Sequence, residues 1–175
     1  MSGRAARRVG LALTLSVLLA ACATPPQPGA DLSGRLALRV AAHDGAPAQS
    51  LTTQFELRGN AVTGELRLTT PLGSTAAEAR WQPGRAELST AEGTRSFAGL
   101  DALAQELLGQ SLPLAALIDW LRGRPWPGAP SVARNDGFEQ LGWRIDVSRF
   151  AEGWVLAARE LAPALSVRAR LDRPQ

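Results

Sequence analysis

Apolar residues recur at every second position through a series of short stretches of this chain, and turn-forming dipeptides separate the stretches. Leu32, Gly34, Leu36, Leu38 and Val40 share one face of a run whose other face carries Arg35 and Arg39. That is the pattern of a strand with one side buried. His43 to Ser50 holds Asp44-Gly45 and Pro47 and reads as a connection. Leu51, Thr53, Phe55 and Leu57 then alternate with Thr52, Gln54, Glu56 and Arg58 before Gly59-Asn60 turns the chain. Leu66 and Leu68 repeat the pattern around Arg67, and Ala77, Ala79 and Trp81 repeat it around Glu78 and Arg80. After Gln82-Pro83-Gly84 it continues through Ala86 and Leu88, and Glu92-Gly93 turns into a last run from Thr94 to Phe97. Strands in succession joined by short turns predict an antiparallel sheet. The opposed Arg and Glu residues of its polar face contribute about 0.2–1 kcal/mol per pair and carry no chemistry.

The period then changes. Leu100, Leu103, Leu107 and Leu108 have helical spacing and stop at Gly109, a residue suited to ending a helix. Pro113 suits the first position of a second helix, in which Leu114, Leu117, Ile118 and Leu121 keep one face until Gly123 and Pro125. Both segments are too short to persist alone, so they must pack on the apolar face of the sheet. Arg124 to Pro130 is an irregular Pro-rich loop carrying Trp126, and strand spacing returns at Trp143, Ile145 and Val147. Trp154 to Arg159 and Leu165 to Leu171 complete the series. Strands, a helical insertion and further strands predict a mainly β, α+β fold: a curved antiparallel sheet with helices over its concave side. The inward residues could form a filled core or the wall of a hollow one, because period alone is the same for both.

The N-terminal segment is of another kind. Arg4, Arg7 and Arg8 precede an unbroken small and apolar run from Val9 to Ala20, the charged and apolar regions of an export signal. The run is shorter than the ~20 residues a membrane-spanning helix needs. Leu19-Ala20-Ala21-Cys22 resembles the lipobox of bacterial lipoproteins, in which the cysteine is acylated before cleavage. The alternative is an ordinary small-residue cleavage site with an incidental cysteine. Cys22 is the only cysteine, so no internal disulfide can form. Ala23 to Ala30 is Pro- and Gly-rich and aperiodic, a tether. The expected organisation is a signal peptide over residues 1–21, a lipidated tether over 22–31 and one folded domain over 32–175. The precursor carries a formal charge of +3, but three of its 19 basic residues lie in the signal and all 16 acids lie beyond Cys22. The mature chain is therefore neutral, which removes the electrostatic footprint of nucleic-acid binding.

Catalytic signatures are weak. His43 is the only histidine. A triad with Asp44 and Ser111 can be drawn on paper, but Gly109-Gln110-Ser111-Leu112-Pro113 lacks the second glycine of a nucleophile elbow. One histidine and one lipidated cysteine do not supply a metal cluster, and no Walker-type phosphate loop is present. The expectation is a non-enzyme without cofactor or metal. Leu72, between Pro71 and Gly73 at the expected tip of a hairpin, is a bulky apolar residue with no evident core to face, so it either folds back against Trp81 or a neighbouring strand or stands out from the body.

Four segments in order resemble one family. Ser33-Gly34-Arg35-Leu36, Pro71-Leu72-Gly73-Ser74, the stretch from Leu108-Gly109-Gln110-Ser111-Leu112-Pro113-Leu114 to Trp120-Leu121-Arg122-Gly123, and Gly142-Trp143 are similar to the LolB family of outer-membrane lipoprotein receptors. The resemblance implies an incomplete antiparallel β-barrel with a helical lid over an apolar cavity. It implies a monomer anchored to the outer membrane and facing the periplasm, which accepts lipoprotein cargo from the periplasmic carrier LolA and inserts it into the inner leaflet of outer-membrane lipid. The cavity would be lined by Leu36, Leu38, Phe55, Leu57, Leu66, Leu68 and Trp81 from the strands. Leu103, Leu107, Leu117, Ile118 and Leu121 would come from the helices, and Trp143 and Ile145 from the late strands. Pro71, Leu72 and Gly73 would be the loop that enters the membrane. The competing expectations are an envelope lipoprotein that organises a protein complex around a filled core, and an envelope hydrolase built on His43.

Overall fold

Each alternating run pairs with its neighbour in sequence. The computed structural model describes residues 31–108 and 112–172, the side chains of residues 107 and 108 excepted. The expected signal peptide, Cys22 and all but the last residue of the tether lie outside the described residues. Six strands come first: β1 (Leu32–Val40), β2 (Gln49–Gly59), β3 (Gly64–Thr69), β4 (Thr75–Gln82), β5 (Arg85–Thr90) and β6 (Gly93–Phe97). Two helices follow, α1 (Leu100–Leu108) and α2 (Leu114–Trp120). Five strands complete the fold: β7 (Ser131–Arg134), β8 (Gly137–Gln140), β9 (Trp143–Asp146), β10 (Trp154–Arg159) and β11 (Leu165–Leu171). They form one sheet in the order β6-β5-β4-β3-β2-β1-β11-β10-β9-β8-β7. Every pairing is antiparallel. The two meanders join where β1 pairs with β11, and β6 and β7 are left as edges. The result is an unclosed barrel with a helical lid.

Register fixes what lies at each end. The hairpin β1–β2 closes at Val40 and Gln49, while β3 begins its pairing five residues lower, with Thr69 opposite Gln54. At the opposite end the strands step in the same sense, with Leu32 opposite Leu57 and Gly34 opposite Leu171. A consistent stagger at both ends is how tilted strands keep the ends of a barrel level. A bulge between Leu68 and Thr69 adds one residue, Ala76, to β4, which bends the strand at that point.

The structure adds two strands where the sequence shows no period. β7 is four residues long with every side chain exposed, and β8 is equally short. A wholly exposed strand has no apolar face to alternate with a polar one. Pro113 is also displaced by one position from the expected helix start: with φ −74° and ψ 81° it precedes α2 as its N-cap residue.

The half of the barrel under β8 to β11 is solidly packed. Trp143, Ile145, Val155, Ala157, Val167 and Ala169 are buried there. Trp120 of α2 meets Trp143 with ring centroids 5.7 Å apart. Gln140 is the polar pin of this region. Its Oε1 accepts the Trp120 Nε1–H at 2.8 Å and the Trp126 N–H at 2.9 Å, and its Nε2 donates to the carbonyls of Trp126 and Ala129, both at 2.7 Å. All its hydrogen-bonding capacity toward the loop and helix is used, which is what permits a side chain so buried to be polar.

Candidate functional site

The other half of the barrel is hollow. A cavity of about 310 Å³ lies between the concave face of β1 to β5 and the two helices. Leu36 and Leu38 line it from β1, Phe55 and Leu57 from β2, and Leu66 and Leu68 from β3. Trp81 closes the strand wall, while Leu103 of α1 and Leu117, Ile118 and Leu121 at α2 form the roof. Thr53 is the most buried polar residue in the wall, and its hydroxyl donates to the Thr69 carbonyl at 2.9 Å. The Trp81 Nε1–H is likewise used, on the Asn60 carbonyl at 2.8 Å. What the cavity presents is therefore hydrocarbon and ring faces.

An unfilled apolar void is costly: at ~24 cal/mol per Å³, one of this size forfeits several kcal/mol of packing. The same chain packs its other half tightly: there the inward alanines Ala157 and Ala169 lie in a core that holds the Trp120 and Trp143 rings, whereas Ala77 and Ala79 of β4 face open space. An apolar cavity of half this volume stays dry and takes up apolar guests.

One end of the cavity is shut. Trp81 lies so close over Gly64 that a β-carbon there would come within 2.5 Å of its ring. Arg122, just past α2, donates to the Gly59 carbonyl at 2.6 Å and to the Ile118 carbonyl at 3.2 Å, tying the helix end to the β2–β3 turn. The opposite end is open. Leu51, 44% exposed, and Ala76, the residue added by the bulge, line the cavity there and also meet solvent.

Pro71, Leu72 and Gly73 form the β3–β4 connection at this open end. The loop is fixed by its own backbone: Thr70 N–H donates to the Ser74 carbonyl at 2.8 Å and Gly73 N–H to the Thr70 carbonyl at 2.9 Å. Gly73 takes φ +86°, a left-handed conformation that glycine adopts without strain. Held in this way, Leu72 is 95% exposed. It does not fold back on Trp81 or on a strand.

Two residues expected in the cavity are not placed there. Trp143 and Ile145 belong to the solid half and are buried against Trp120 and its neighbours. Their inward alternation was legible, but which part of the interior they face depends on sheet curvature. The Leu107 side chain lies outside the described residues. Conversely, Leu51, Ala77, Ala79, Leu88, Leu100 and Leu114 line the cavity without having been singled out.

Ionisable groups stand away from the cavity. The carboxyl groups held below their ordinary values, Asp136, Glu139 and Glu152, all lie in the stretch from β7 to β10, away from the cavity. The Arg144 guanidinium bound to Asp136 holds that carboxyl below its ordinary range, and Arg134 does the same for Glu139. His43 sits in the β1–β2 connection 3.0 Å from Asp44, and Ser111 lies outside the described residues. Among the described residues no three His, Cys, Asp or Glu side chains gather as a metal site, and no helix is long and apolar enough to cross a membrane.

Comparison with known proteins extends over the whole described body. The family model for outer membrane lipoprotein LolB matches residues 30–170. An outer-membrane lipoprotein LolB of Bordetella pertussis is 37% identical over 179 aligned positions, which cover 91% of this chain and 89% of the relative. A protein of the same name from Chromobacterium violaceum is 35% identical over 83% of this chain and 84% of its own length. Another from Ralstonia nicotianae is 34% identical over 94% and 87%.

Proposed function

Because this chain belongs to the outer membrane lipoprotein LolB family, we infer that its hollow half is where the acyl chains of lipoprotein cargo are held. The protein is an outer-membrane lipoprotein receptor of the lipoprotein localisation pathway and not an enzyme. The cavity roofed by α1 and α2 is the observation that carries the reading, being apolar but for Thr53 and Thr90 and open at one end.

The physical task fits such a site. Exposing an acyl chain to water costs roughly 0.8 kcal/mol per methylene, on the order of 10 kcal/mol for one long chain. Cargo must therefore pass from one apolar shelter to another without an aqueous interval. In our reading the cargo is received from the soluble periplasmic carrier LolA and released into the inner leaflet of the outer membrane. No nucleotide is needed if each successive site binds the chains more favourably. Residues 1–21 serve as the export signal, Cys22 carries the lipid and residues 22–31 tether the body to the membrane. Leu72 enters the leaflet at the point of release, beside the open end of the cavity.

The direct test mixes a preformed complex of carrier and labelled lipoprotein with this protein and follows the label by pull-down. Migration of the lipoprotein from carrier to this chain is the expected result. A label that stays with the carrier would exclude the receptor role for this cavity and leave an envelope protein that organises a complex through its surface.

A further inference from the structure

The two ends of the barrel differ in chemistry, and the difference extends well beyond the Leu72 loop. At the open end the hairpin connections read Ala41-Ala42-His43-Asp44-Gly45-Ala46-Pro47-Ala48, Thr70-Pro71-Leu72-Gly73-Ser74, Ala91-Glu92, Leu141-Gly142 and Glu160-Leu161-Ala162-Pro163-Ala164. No arginine occurs in any of them, and their acids are Asp44, paired with His43, Glu92 and Glu160. The shut end carries the Arg122 contact to Gly59, the Arg134, Asp136 and Arg144 cluster and the Arg149–Glu152 pair. Leu161, 71% exposed, caps the β10–β11 hairpin on the side of the barrel away from Leu72. Leu141 caps β8–β9 with φ +53°, a left-handed position that a two-residue turn ordinarily fills with Asn or Gly. A bulky apolar residue is thus displayed at three hairpin tips, one of them in an unfavourable backbone conformation.

Resting on the reading of the cavity and of Leu72 given above, we propose that the whole open end is the membrane-docking face, with Leu161 and Leu141 as further insertion points. The barrel then stands mouth-down on the bilayer. Cargo chains leave the cavity directly into lipid, inside a ring of apolar tips that spans both meanders. One loop alone would fix a point of contact; tips on both meanders fix an orientation.

The chain outside the structure fits this occupant. The body begins at Asp31, which is held at the shut end by its contact with Gly59. Nine residue steps separate Cys22 from Asp31, a reach of about 30 Å when extended. β1 is nine residues long, about 30 Å along a strand that tilts in the barrel. An anchor attached at the far end can therefore lie in the same bilayer that the mouth touches.

The lone cysteine makes the test clean, since acylated Cys22 leaves no other thiol to label. The acylated full chain carrying Leu161→Cys, Leu72→Cys or Val62→Cys is labelled with an environment-sensitive fluorophore. Each is reconstituted in vesicles of phosphatidylethanolamine and phosphatidylglycerol containing a lipid-borne quencher. Val62, 61% exposed in the β2–β3 turn at the shut end, reports the opposite pole. Blue-shifted, quenched emission at positions 161 and 72 with neither at 62 is the expected result. Quenching at 72 alone overturns the docking face and leaves the Leu72 reading standing, whereas quenching at neither overturns both. Equal quenching at 62 also overturns it, as the mark of a body with no fixed orientation.

Discussion

Single residues divide into those that hold the body together and those that the body displays. Gln140 belongs to the first kind, because it satisfies two N–H groups and two carbonyls that have no water to turn to. Gln140→Leu keeps the volume and removes every bond. We expect it to cost about 3 kcal/mol, from several buried groups left unpaired, measured as a drop in the midpoint of urea unfolding. Leu72 belongs to the second. Leu72→Glu should leave that midpoint unchanged, within ~0.5 kcal/mol for a surface position, while insertion of cargo into vesicles is lost and transfer from the carrier persists. Unchanged insertion would remove Leu72 from the mechanism. Leu72 was legible as an apolar residue with nowhere to go. Gln140 was not, because nothing in a lone glutamine after Phe138 and Glu139 announces that Trp120 and Trp126 will converge on it.

At the level of elements, the two helices of the lid are held differently. α2 is tied through Trp120 to Gln140, through Arg122 to Gly59, and through Asp119 to Arg124, whose Nε donates at 2.8 Å. Among the described side chains α1 rests on the burial of Leu103 and Ala104, on an interaction of Gln105 and on an exposed pair between Glu106 and Arg95, a type of pair worth at most about 1 kcal/mol. We expect α1, which roofs the cavity without the buried indole-to-amide bond that pins α2, to be the part that yields to cargo. Amide exchange should be faster over 100–108 than over 114–120 in the cargo-free protein, and the reverse order would assign the movable part to α2. The long strands and both helices were legible because each carries one apolar face at its own period. β7 and β8 were not, since β7 has no buried face and β8 alternates over only four residues, with a glutamine as one of its two inward side chains, and their pairing comes from the Asn135-Asp136 turn and the edge of β9.

For the molecule as a whole, the alternation of apolar residues specified a curved sheet under helices but not whether the space between them was full. Hollow and solid halves of this barrel carry the same pattern, and Trp143 and Ile145 went to the solid half because β9 stands in the second meander, where Trp120 packs on Trp143. The distinction rests on what fills the interior: the Trp120 and Trp143 rings occupy the solid half, while Ala77 and Ala79 line unfilled space in the other. Trp81 makes it measurable. Of the five tryptophans, it alone lines the cavity, where a bromine-bearing acyl chain would touch its ring. The measurement is tryptophan fluorescence of the unacylated Cys22→Ala protein titrated with a lipopeptide brominated on its acyl chains, repeated in Trp81→Phe. Saturable quenching that disappears in Trp81→Phe is the predicted result. Absence of quenching, or quenching of equal size without Trp81, would contradict an acyl-chain site in this cavity.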